Sequence, residues 1–324
     1  MNIPTMTMLI GLPCSGKSSY AGKLAGSHGT VVLSSDELRK ELYGSYEDQT
    51  HNKEVFLELH KRARAFLKMG INVIIDSTNI SYKRRMEFLK SLNKIPCEKI
   101  AVMMATPYEV CIERNKHRDR KVPEEVIKRM YMNFWVPAKY EGFDEVETEY
   151  SGFEEHYGTP FDTYKKYKYY DQHNSHHTLT LGDHCKKAAD YILRNVLRND
   201  PSRYGYKNSL YCAAYMHDYG KSRCASFKNA KGETTEECHY YGHEHPSSYD
   251  SLFYNYYYNE RYGFDDYYGP WIDKLYIAQL IVWHMRPYTA WEKSEKAKEK
   301  DRRLLGDDLF NDILLLHEAD VYAH

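Results

Sequence analysis

Residues 11–18 read GLPCSGKS and directly follow an apolar run, Met6–Ile10, which is typical of a β-strand. All fixed positions of the pattern G-x-x-x-x-G-K-[ST] are filled, which predicts a phosphate-binding loop between this strand and a helix. In such a loop the backbone N–H groups and the lysine ammonium hold the phosphates, while the last hydroxyl binds Mg²⁺. ATP, or another nucleoside triphosphate, with Mg²⁺ is therefore the expected cofactor. The loop residues predicted to bind the nucleotide are Gly11, Cys14, Ser15, Gly16, Lys17 and Ser18.

On both sides of this loop, the pattern of the chain predicts an α/β domain followed by an all-α domain. Short apolar runs alternate with amphipathic stretches up to about residue 147, which is typical of a parallel sheet covered by helices. We place this α/β domain at residues 1–150, a linker rich in Gly, Tyr, Lys and His at 151–174, and an all-α domain at 175–324. The runs predicted as strands are 7–10, 30–33, 72–75 and 99–104. The later helical patterns are at about 182–198, 208–220, 243–258, 271–286 and 308–323, with no strand among them.

Length and composition agree with two packed domains. The 324 residues suit two cores, and 42% hydrophobic with 28% charged residues argues against disordered and fibrous classes. A formal net charge of -1 means that nucleic acid could be bound only through local patches. Seven cysteines without a C-x-x-C pair fit a reducing compartment. With no signal peptide or membrane span in the sequence, we expect a cytoplasmic protein without a membrane partner.

Two acidic residues follow predicted strands and suggest what surrounds the phosphate loop. Asp36 and Arg39 share one face of a starting helix, where Asp36 could take a proton from an attacking hydroxyl while Arg39 holds an acceptor phosphate. A solvated helix start with an acidic residue is an equally good interpretation of the spacing. Asp76 ends the third predicted strand and either orients water on Mg²⁺ or holds Arg39.

A basic segment further along the chain predicts a lid over the triphosphate. Arg114 and Arg118 are aligned by their i, i+4 spacing, and Arg120 precedes Val122-Pro123. Positive charge around the transferred group is what phosphoryl transfer requires, although a solvated basic helix is the alternative.

Residues 5 to about 147 resemble the 5'-hydroxyl polynucleotide kinase family, best known from a bacteriophage end-repair enzyme. The resemblance implies that Asp36 is the general base for a 5'-hydroxyl, that Arg39 grips the neighbouring nucleic-acid phosphate, and that Arg118 stabilises the transferring phosphate with Arg114 beside it. The segment after Arg118 is one residue longer here, so Arg120 competes for that role. Together with Lys17, the implied catalytic set is Lys17, Asp36, Arg39 and Arg118. The segments that carry the resemblance are 11–18, 35–39, 76–79, 114–118 and 122–123.

The second half of the chain contains histidines and aspartates suited to a metal site. His217 and Asp218 are adjacent late in an apolar helix pattern, bracketed by His184 and Asp320 on their own predicted helices. Imidazoles and carboxylates bind divalent metals, which activate water for attack on a phosphoester. This pattern resembles the HD phosphohydrolase superfamily, an all-helical fold. The resemblance implies a C-terminal HD domain with one or two divalent ions of Mn, Co, Ni, Fe or Zn.

Further residues extend this predicted metal site. His243 and His284 fall where members of that superfamily with several metals carry extra ligands, which suggests two ions. His239 and His245 lie so close to His243 in the sequence that either could take its place. Lys221 either binds the substrate phosphate or favours the C-terminal end of its helix.

Taken together, the resemblances imply a bifunctional nucleic-acid end-healing enzyme, in the host cytoplasm if a phage encodes it. The first domain would phosphorylate a 5'-hydroxyl with ATP, and the HD domain would act as a 3'-phosphatase or 2',3'-cyclic phosphodiesterase, so that a nucleic-acid ligase can seal the ends. RNA is favoured over DNA because ribonuclease cleavage often leaves such ends. The alternatives are a small-nucleotide kinase fused to an HD nucleotidase, and a nucleotide-sensing regulator.

Tyrosine is unusually abundant, with 32 residues and clusters at 254–258 and 262–268. The clusters favour a half-buried surface, and the alternative is a platform on which nucleic-acid bases stack. For His176 and His177, an exposed approach to a helix is favoured over substrate contact.

Overall fold

A computed structural model describes residues 3–26, 29–152, 158–175, 178–197, 204–254 and 273–324, with the backbone alone for 204–208. The chain divides into two compact units: unit 1 is Met1–Met130 with Pro137–Phe153, and unit 2 is Tyr131–Val136 with Glu154–His324. His176, His177 and the tyrosine clusters beyond Tyr254 lie outside the described residues. Within the described part of the chain, no helix has both the length and the apolar character that a bilayer crossing needs.

Unit 1 contains a five-stranded sheet whose order is β2-β3-β1-β4-β5, with every neighbouring pair parallel. The parallel sheet predicted for the first domain is therefore confirmed. On the central strand, Met8 lies opposite Ile75 of β3 and Ala101 of β4. Because all strands point the same way, the segments that follow β1, β2 and β3 meet at one edge of the sheet, where folds of this type bind ligands. The strands are β1 Thr5–Ile10, β2 Val31–Ser34, β3 Val73–Asp76, β4 Glu98–Ala105 and β5 Glu145–Tyr150.

Helices of unit 1 connect these strands. Leu9, Ile74 and Val102 of the sheet pack with Ala21 of the first helix in one apolar cluster, and burial of each large side chain contributes about 1.5–3 kcal/mol. The Ser34 hydroxyl accepts hydrogen bonds from the N–H groups of residues 36 and 37 and so fixes where the second helix begins. The helices are α1 Lys17–Ala25, α2 Ser35–Tyr43, α3 Asn52–Lys68, α4 Tyr82–Ser91, α5 Tyr108–Lys116 and α6 Glu124–Tyr131, with a 3₁₀ turn at Lys139–Glu141.

Unit 2 is helical, with its core between four long helices. α9 and α14 contact each other, and each also contacts α8 and α12. Every residue of α12 from Ile277 to Trp283 is buried, so this part of the helix is covered on all sides. Its helices are α7 Pro160–Tyr167, α8 Leu181–Ile192, α9 Tyr204–Met216, α10 Lys221–Cys224, α11 Glu244–Ser251, α12 Lys274–Trp283, α13 Glu295–Leu305 and α14 Asp307–Ala323. Two π-helical turns are at Leu193–Leu197 and Pro287–Trp291.

The structure differs from the sequence-based expectation in five elements. β5 was not predicted, because its alternating glutamates suit the exposed edge of a sheet and not an apolar run. The second domain is not entirely helical, since β6 Ser226–Lys228 and β7 Thr234–His239 form an antiparallel hairpin. The predicted linker contains α7, which Thr159 and Asp162 cap reciprocally. The charged helix α13 also escaped the search for apolar periodicity.

Candidate active sites

The first site begins with the backbone of residues 11–18. Cys14 has a φ of 66° and Gly16 a φ of 97°, the left-handed backbone conformations that anion-binding loops use. α1 starts directly after Gly16, and among the described residues no side chain caps its first turn, whose N–H groups therefore favour an anion. A Cβ at Gly11 would lie 2.5 Å from Ser15 Oγ, so glycine is required there. The loop fits a chain of phosphates.

Lys17 and Ser18 complete this loop. The Lys17 ammonium donates to the carbonyl oxygens of Gly11 at 3.1 Å and Leu12 at 2.6 Å. Burial lowers the pKa of Lys17, and the charge of Asp76, the buried last residue of β3, opposes that shift. Ser18 is exposed in the first turn of α1. The structure thus places the ammonium and the predicted Mg²⁺ residues, Ser18 and Asp76, at the carboxyl edge of the sheet.

Asp36 is held between two guanidinium groups. Arg39 donates to one carboxylate oxygen at 2.7 Å, and Arg120 donates to the other at 2.5 Å. The Arg39 side chain is 4% exposed and also donates to the Asn52 amide oxygen at 2.8 Å. The Asp36 side chain is 45% exposed and can be reached by a substrate. Arg39, predicted from the sequence as a phosphate clamp, therefore also positions Asp36, and so does Arg120.

The other two arginines contact the phosphate loop at one residue. Arg114 donates to the carbonyl oxygen of Cys14 at 3.4 Å, and Arg118 donates to its sulfur, also at 3.4 Å. Arg114 is further held by the Ser151 hydroxyl at 2.9 Å. Positive charge is thus brought to the loop from α5 and the segment after it.

Asn115 closes the segment that carries these arginines, a role that the sequence analysis missed. Its side chain is buried and makes two hydrogen bonds with Val122, donating to the carbonyl oxygen at 2.7 Å and accepting from the N–H at 2.9 Å. The six residues between them are therefore held as a loop. A polar residue that interrupts a basic run was the only signal in the sequence.

The second site is a buried cluster in unit 2. Ligand atoms of His184, His217, Asp218 and Asp320 all lie within 4.8 Å of one another. His184 Nε2 is 3.0 Å from an oxygen of Asp320 and 3.3 Å from Asp218 Oδ2. Burial disfavours a charged His184 ring, but hydrogen bonds to both carboxylates outweigh it and raise its pKa to about 9. The cluster therefore attracts positive charge strongly.

A second group of ligand atoms shares one carboxylate with the first. Asp218 Oδ1 lies 2.9 Å from His243 Nε2 and 3.6 Å from His284 Nε2, and these two nitrogens are 3.2 Å apart. The three residues form a separate ligand set. Asp218 thus faces one group with Oδ2 and the other with Oδ1, as a carboxylate between two metal positions does.

Hydrogen bonds of the imidazoles test whether the cluster fits metal ions. Three rings donate from Nδ1 to backbone carbonyls and, when neutral, carry a lone pair at Nε2. These lone pairs face each other and carboxylate oxygens, an arrangement that repels unless a cation lies among them. The donor set therefore fits divalent ions. The bonds are His217 to Ala214 at 2.8 Å, His243 to Tyr240 at 2.8 Å and His284 to Ile281 at 2.6 Å.

Two side chains outside the ligand sets hold their carboxylates. The buried Lys221 ammonium lies 2.6 Å from Asp218 Oδ2 and donates to Gln172 at 2.9 Å. The Tyr288 hydroxyl donates to Asp320 Oδ2 at 2.9 Å. Lys221 was singled out in the sequence, whereas Gln172 and Tyr288 were not, because an amide and a phenol in unrelated segments give no pattern.

Of the three nearby histidines, the structure brings His243 to the cluster. His239 bonds to a threonine of its own hairpin and His245 to a backbone carbonyl. The turn after Asp218 packs closely on the start of α11, because a Cβ at Gly220 would lie 2.2 Å from the carbonyl oxygen of His243. Glycine at this position allows His243 to approach Asp218.

Comparison with known proteins covers the part of the chain that contains the first site. The family described as AAA domain matches residues 6–137. Residues 6–137 form a P-loop kinase-type domain. This kinase-type domain carries the strand, loop and helix on which Lys17 and Ser18 lie. Among curated proteins, the L-seryl-tRNA(Sec) kinase of Methanococcus maripaludis is 26% identical over 147 residues, which are 43% of this chain and 56% of that protein. The chain thus spans about half the length of this relative.

Solved structures that resemble part of the chain include three with low TM-scores. A chain of the Pnkp1/Rnl/Hen1 RNA repair complex has a TM-score of 0.36 and 21% identity, over 40% of this chain and 43% of that one. A putative kinase from Chloroflexus aurantiacus has a TM-score of 0.41 and 20% identity, over 47% of this chain and 88% of that one. A gluconokinase from Sinorhizobium meliloti has a TM-score of 0.35 and 17% identity, over 47% of this chain and 85% of that one.

Proposed function

We propose that this chain is a bifunctional nucleic-acid end-healing enzyme, with a 5'-hydroxyl kinase in unit 1 and an HD-type metal-dependent phosphohydrolase in unit 2. The observation that carries the proposal is that one chain contains two candidate sites for phosphoryl chemistry. One is a phosphate loop beside a guanidinium-held carboxylate, and the other is a His/Asp cluster built around a shared aspartate. Both reactions transfer a phosphoryl group to or from a hydroxyl oxygen.

In the kinase reaction, the Asp36 carboxylate orients the acceptor hydroxyl and receives its proton while the γ-phosphoryl group is transferred. Arg39 and Arg120 hold Asp36 in place. Lys17 and the loop N–H groups bind the phosphates of ATP, and Ser18 and Asp76 would hold Mg²⁺. Arg114 and Arg118 supply positive charge around the transferred group, where it lowers the barrier.

In the hydrolase reaction, His184, His217, Asp218 and Asp320 would hold one ion, and Asp218, His243 and His284 a second. Bound divalent ions of Mn, Co, Ni, Fe or Zn supply Lewis-acid activation of water and of the phosphoester. The backbone bonds of three imidazoles would keep their Nε2 atoms available as ligands. Lys221 neutralises Asp218 and could contact a substrate phosphate.

The proposed substrate is an RNA end, with a 5'-hydroxyl at one site and a 3'-phosphate or 2',3'-cyclic phosphate at the other. A relative over the kinase-type domain is named an L-seryl-tRNA(Sec) kinase, so its named substrate is an aminoacylated RNA. Products of both reactions are what a nucleic-acid ligase would consume. DNA ends and mononucleotides are the competing acceptors.

The test uses two separate incubations of the full chain. One contains 5'-hydroxyl RNA with γ-labelled ATP and Mg²⁺, and the other contains RNA with a 2',3'-cyclic phosphate or 3'-phosphate and Mn²⁺, Co²⁺ or Ni²⁺. We expect label at the 5' end in the first and loss of the terminal phosphate in the second. Absence of transferred label would contradict the kinase, and absence of any end change with every metal would contradict the phosphohydrolase.

Polymer and mononucleotide acceptors are best distinguished by their kcat/KM values with the wild type. Because Arg39 positions Asp36, Arg39→Ala would reduce phosphorylation of either acceptor. We therefore compare kcat/KM for a 5'-hydroxyl oligoribonucleotide with that for a nucleoside 3'-monophosphate. A preference for the mononucleotide would favour the small-nucleotide kinase with an HD nucleotidase.

A further inference from the structure

We infer that Tyr46, in the loop between α2 and α3, is a positioning residue that holds the Arg120 guanidinium against Asp36. The inference rests on the proposed function, because it concerns the carboxylate that receives the proton of the acceptor hydroxyl. No motif in the sequence points to Tyr46, since tyrosine is abundant throughout the chain. Its assigned role is to act through Arg120, and not on the substrate.

The Tyr46 ring lies beside two cations. The Arg120 guanidinium carbon is 5.1 Å from the ring centre, and the Lys40 ammonium is 4.7 Å from it. The negative face of an aromatic ring attracts such cations. Arg120 belongs to the loop between α5 and α6, whereas Lys40 belongs to α2. The half-buried ring therefore joins the loop that carries Arg120 to the helix that carries Asp36.

The Tyr46 hydroxyl attaches the ring to α2. It donates to the Glu37 carboxylate, whose oxygens lie at 3.1 and 3.2 Å, and it accepts from the Lys40 ammonium at 3.3 Å. Glu37 directly follows Asp36 in the first turn of the helix. Because both partners of the hydroxyl lie on α2, the ring keeps its position relative to the helix that carries Asp36.

The ion pair between Arg120 and Asp36 needs this support. The Arg120 side chain is 33% exposed and the Asp36 side chain 45%, and ion pairs with such exposure do little to hold two side chains in one geometry. Arg39, on the other carboxylate oxygen, is 4% exposed and also donates to Asn52. Arg120 lacks that burial, so its contact with the Tyr46 ring supplies a further restraint.

A fixed Arg120 matters for the proposed proton transfer. Each Asp36 oxygen keeps a second lone pair when one guanidinium donates to it, so an acceptor hydroxyl can still donate to the carboxylate. Proton transfer depends on the distance and angle of that hydrogen bond. When Arg120 leaves Oδ2, Asp36 is held by Arg39 alone and can turn away from the hydroxyl. Loss of the Tyr46 ring should therefore lower kcat and leave ATP binding unchanged.

The test measures label transfer from γ-labelled ATP to 5'-hydroxyl RNA with the full chain. Tyr46→Leu removes the aromatic face and keeps an apolar side chain, whereas Tyr46→Phe keeps the ring and loses the hydroxyl. We expect kcat to fall about two- to fivefold in Tyr46→Leu, which is what loss of a partly exposed cation–π contact corresponds to, and less in Tyr46→Phe. Tyr169→Leu in unit 2 is the matched control and should keep the wild-type kcat, since Tyr169 is exposed and has the Lys168 ammonium 5.3 Å from its ring centre.

Combination with Arg120→Gln separates positioning from a general structural role. Because Tyr46 acts through Arg120, Tyr46→Leu should lower kcat no further once Arg120→Gln is present. Effects that multiply in the double variant would overturn the inference, and so would equal kcat values for Tyr46→Leu and Tyr169→Leu. A Tyr46→Phe kcat as low as that of Tyr46→Leu would also contradict it, because the ring would then have no part in holding Arg120.

A second measurement does not depend on turnover. Phenylglyoxal modifies accessible guanidinium groups, and mass spectrometry gives the rate at Arg120, with the exposed Arg118 as internal reference. We expect this rate to rise about two- to fivefold in Tyr46→Leu and to stay unchanged in Tyr169→Leu. If the wild type transfers no label but Arg120 reacts faster in Tyr46→Leu, the proposed kinase fails and the role of Tyr46 in holding Arg120 stands. An unchanged rate at Arg120 would overturn that role.

Discussion

At the scale of single residues, Asp36 has the sharpest expected effect. Its carboxylate lies between two guanidinium groups and half of it faces solvent. Asp36→Asn keeps the size and the hydrogen-bond acceptor but cannot receive the proton of the acceptor hydroxyl. We expect the kcat of RNA phosphorylation to fall by about 10²–10⁴, with ATP binding retained, as measured by label transfer and nucleotide titration.

The control for Asp36 is Glu47→Gln, a neutralised carboxylate exposed in the turn after α2. A kcat for Asp36→Asn within twofold of the control would remove Asp36 from the proton transfer. A loss of ATP affinity as large as the loss of kcat would instead give it a part in nucleotide binding.

Tyr288 carries a second prediction at this scale. Tyr288→Phe removes the hydroxyl that donates to Asp320 Oδ2 and leaves the ring. Loss of such a hydrogen bond to a ligand lowers metal affinity by about 10- to 100-fold. Calorimetric Mn²⁺ titration of the metal-free protein measures this, and Tyr191→Phe is matched, because Tyr191 donates to a surface carboxylate, Glu318. Equal Mn²⁺ affinities of the two variants would contradict a positioning role for Tyr288.

Residue types in the sequence pointed to candidate site residues more readily than to the side chains that hold those residues in place. His217-Asp218 is recognisable as a dipeptide, and the phosphate loop as a pattern. That Asp218 faces two ligand groups depends on five segments converging, which no local pattern records. Asn115 and Tyr288 support their sites through side chains that are more often solvated, so their residue types gave no signal.

At the scale of elements, the loop between α5 and α6 is held by Asn115. Asn115→Ala removes two hydrogen bonds to Val122 and leaves the backbone groups of that residue without those partners. We expect kcat/KM of the kinase to fall by up to about 10²-fold, since a displacement of about 1 Å in a positioned group costs roughly that much. The exposed Asn93, in the turn after α4, gives the control Asn93→Ala. A kcat/KM equal to that of the control would show that the loop needs no such closure.

Helix α3 gives unit 1 a dependence on pH. His60 stacks on Phe88 at 4.1 Å, and burial, with the charge of Arg64 adding to it, lowers the pKa of His60 to about 4. Because the folded pKa lies below the unfolded one, the neutral ring contributes stability above about pH 6.5, and this is lost as pH falls toward 4.

Between pH 7 and 4, we expect the free energy of unfolding of the wild type to fall on the order of 2 kcal/mol more than that of His60→Gln. Urea unfolding of the kinase-type domain, which contains His60, measures this difference. Parallel pH profiles for the two proteins would contradict this account of His60. His51→Gln is the control, since its ring already pairs with Asp48 at the surface.

Elements with strong local signals were the ones that the sequence could predict. Four strands of the sheet were found from apolar runs. Both faces of the interior strands β1, β3 and β4 are covered, and the edge strand β2 still begins with Val-Val-Leu. β5 and α13 escaped because alternating glutamates in the one and many charged residues in the other leave no apolar run. α7 was missed although Thr159-Pro160 and Asp162 form a helix start, since the surrounding glycines and tyrosines suggested a linker.

At the scale of the whole molecule, the two sites lie in separate units and should fail separately. Lys17→Ala removes the ammonium of the phosphate loop and should abolish RNA phosphorylation while phosphate release continues. His217→Ala removes a ligand of the metal cluster and should have the opposite effect. Both activities are measured on one preparation of each full-length variant, with the wild type beside them.

Ligand-dependent stability distinguishes loss of a site from loss of folding. A ligand that binds only the folded state raises its stability in proportion to the logarithm of its concentration over Kd. Mn²⁺ should therefore raise the unfolding temperature of the wild type and of Lys17→Ala but not of His217→Ala, and ATP with Mg²⁺ should stabilise the wild type and His217→Ala but not Lys17→Ala. If either variant loses both activities and both responses, the substitution has unfolded the chain. If it loses both activities but keeps one response, the two reactions share a site, and the assignment of one reaction to each unit is wrong.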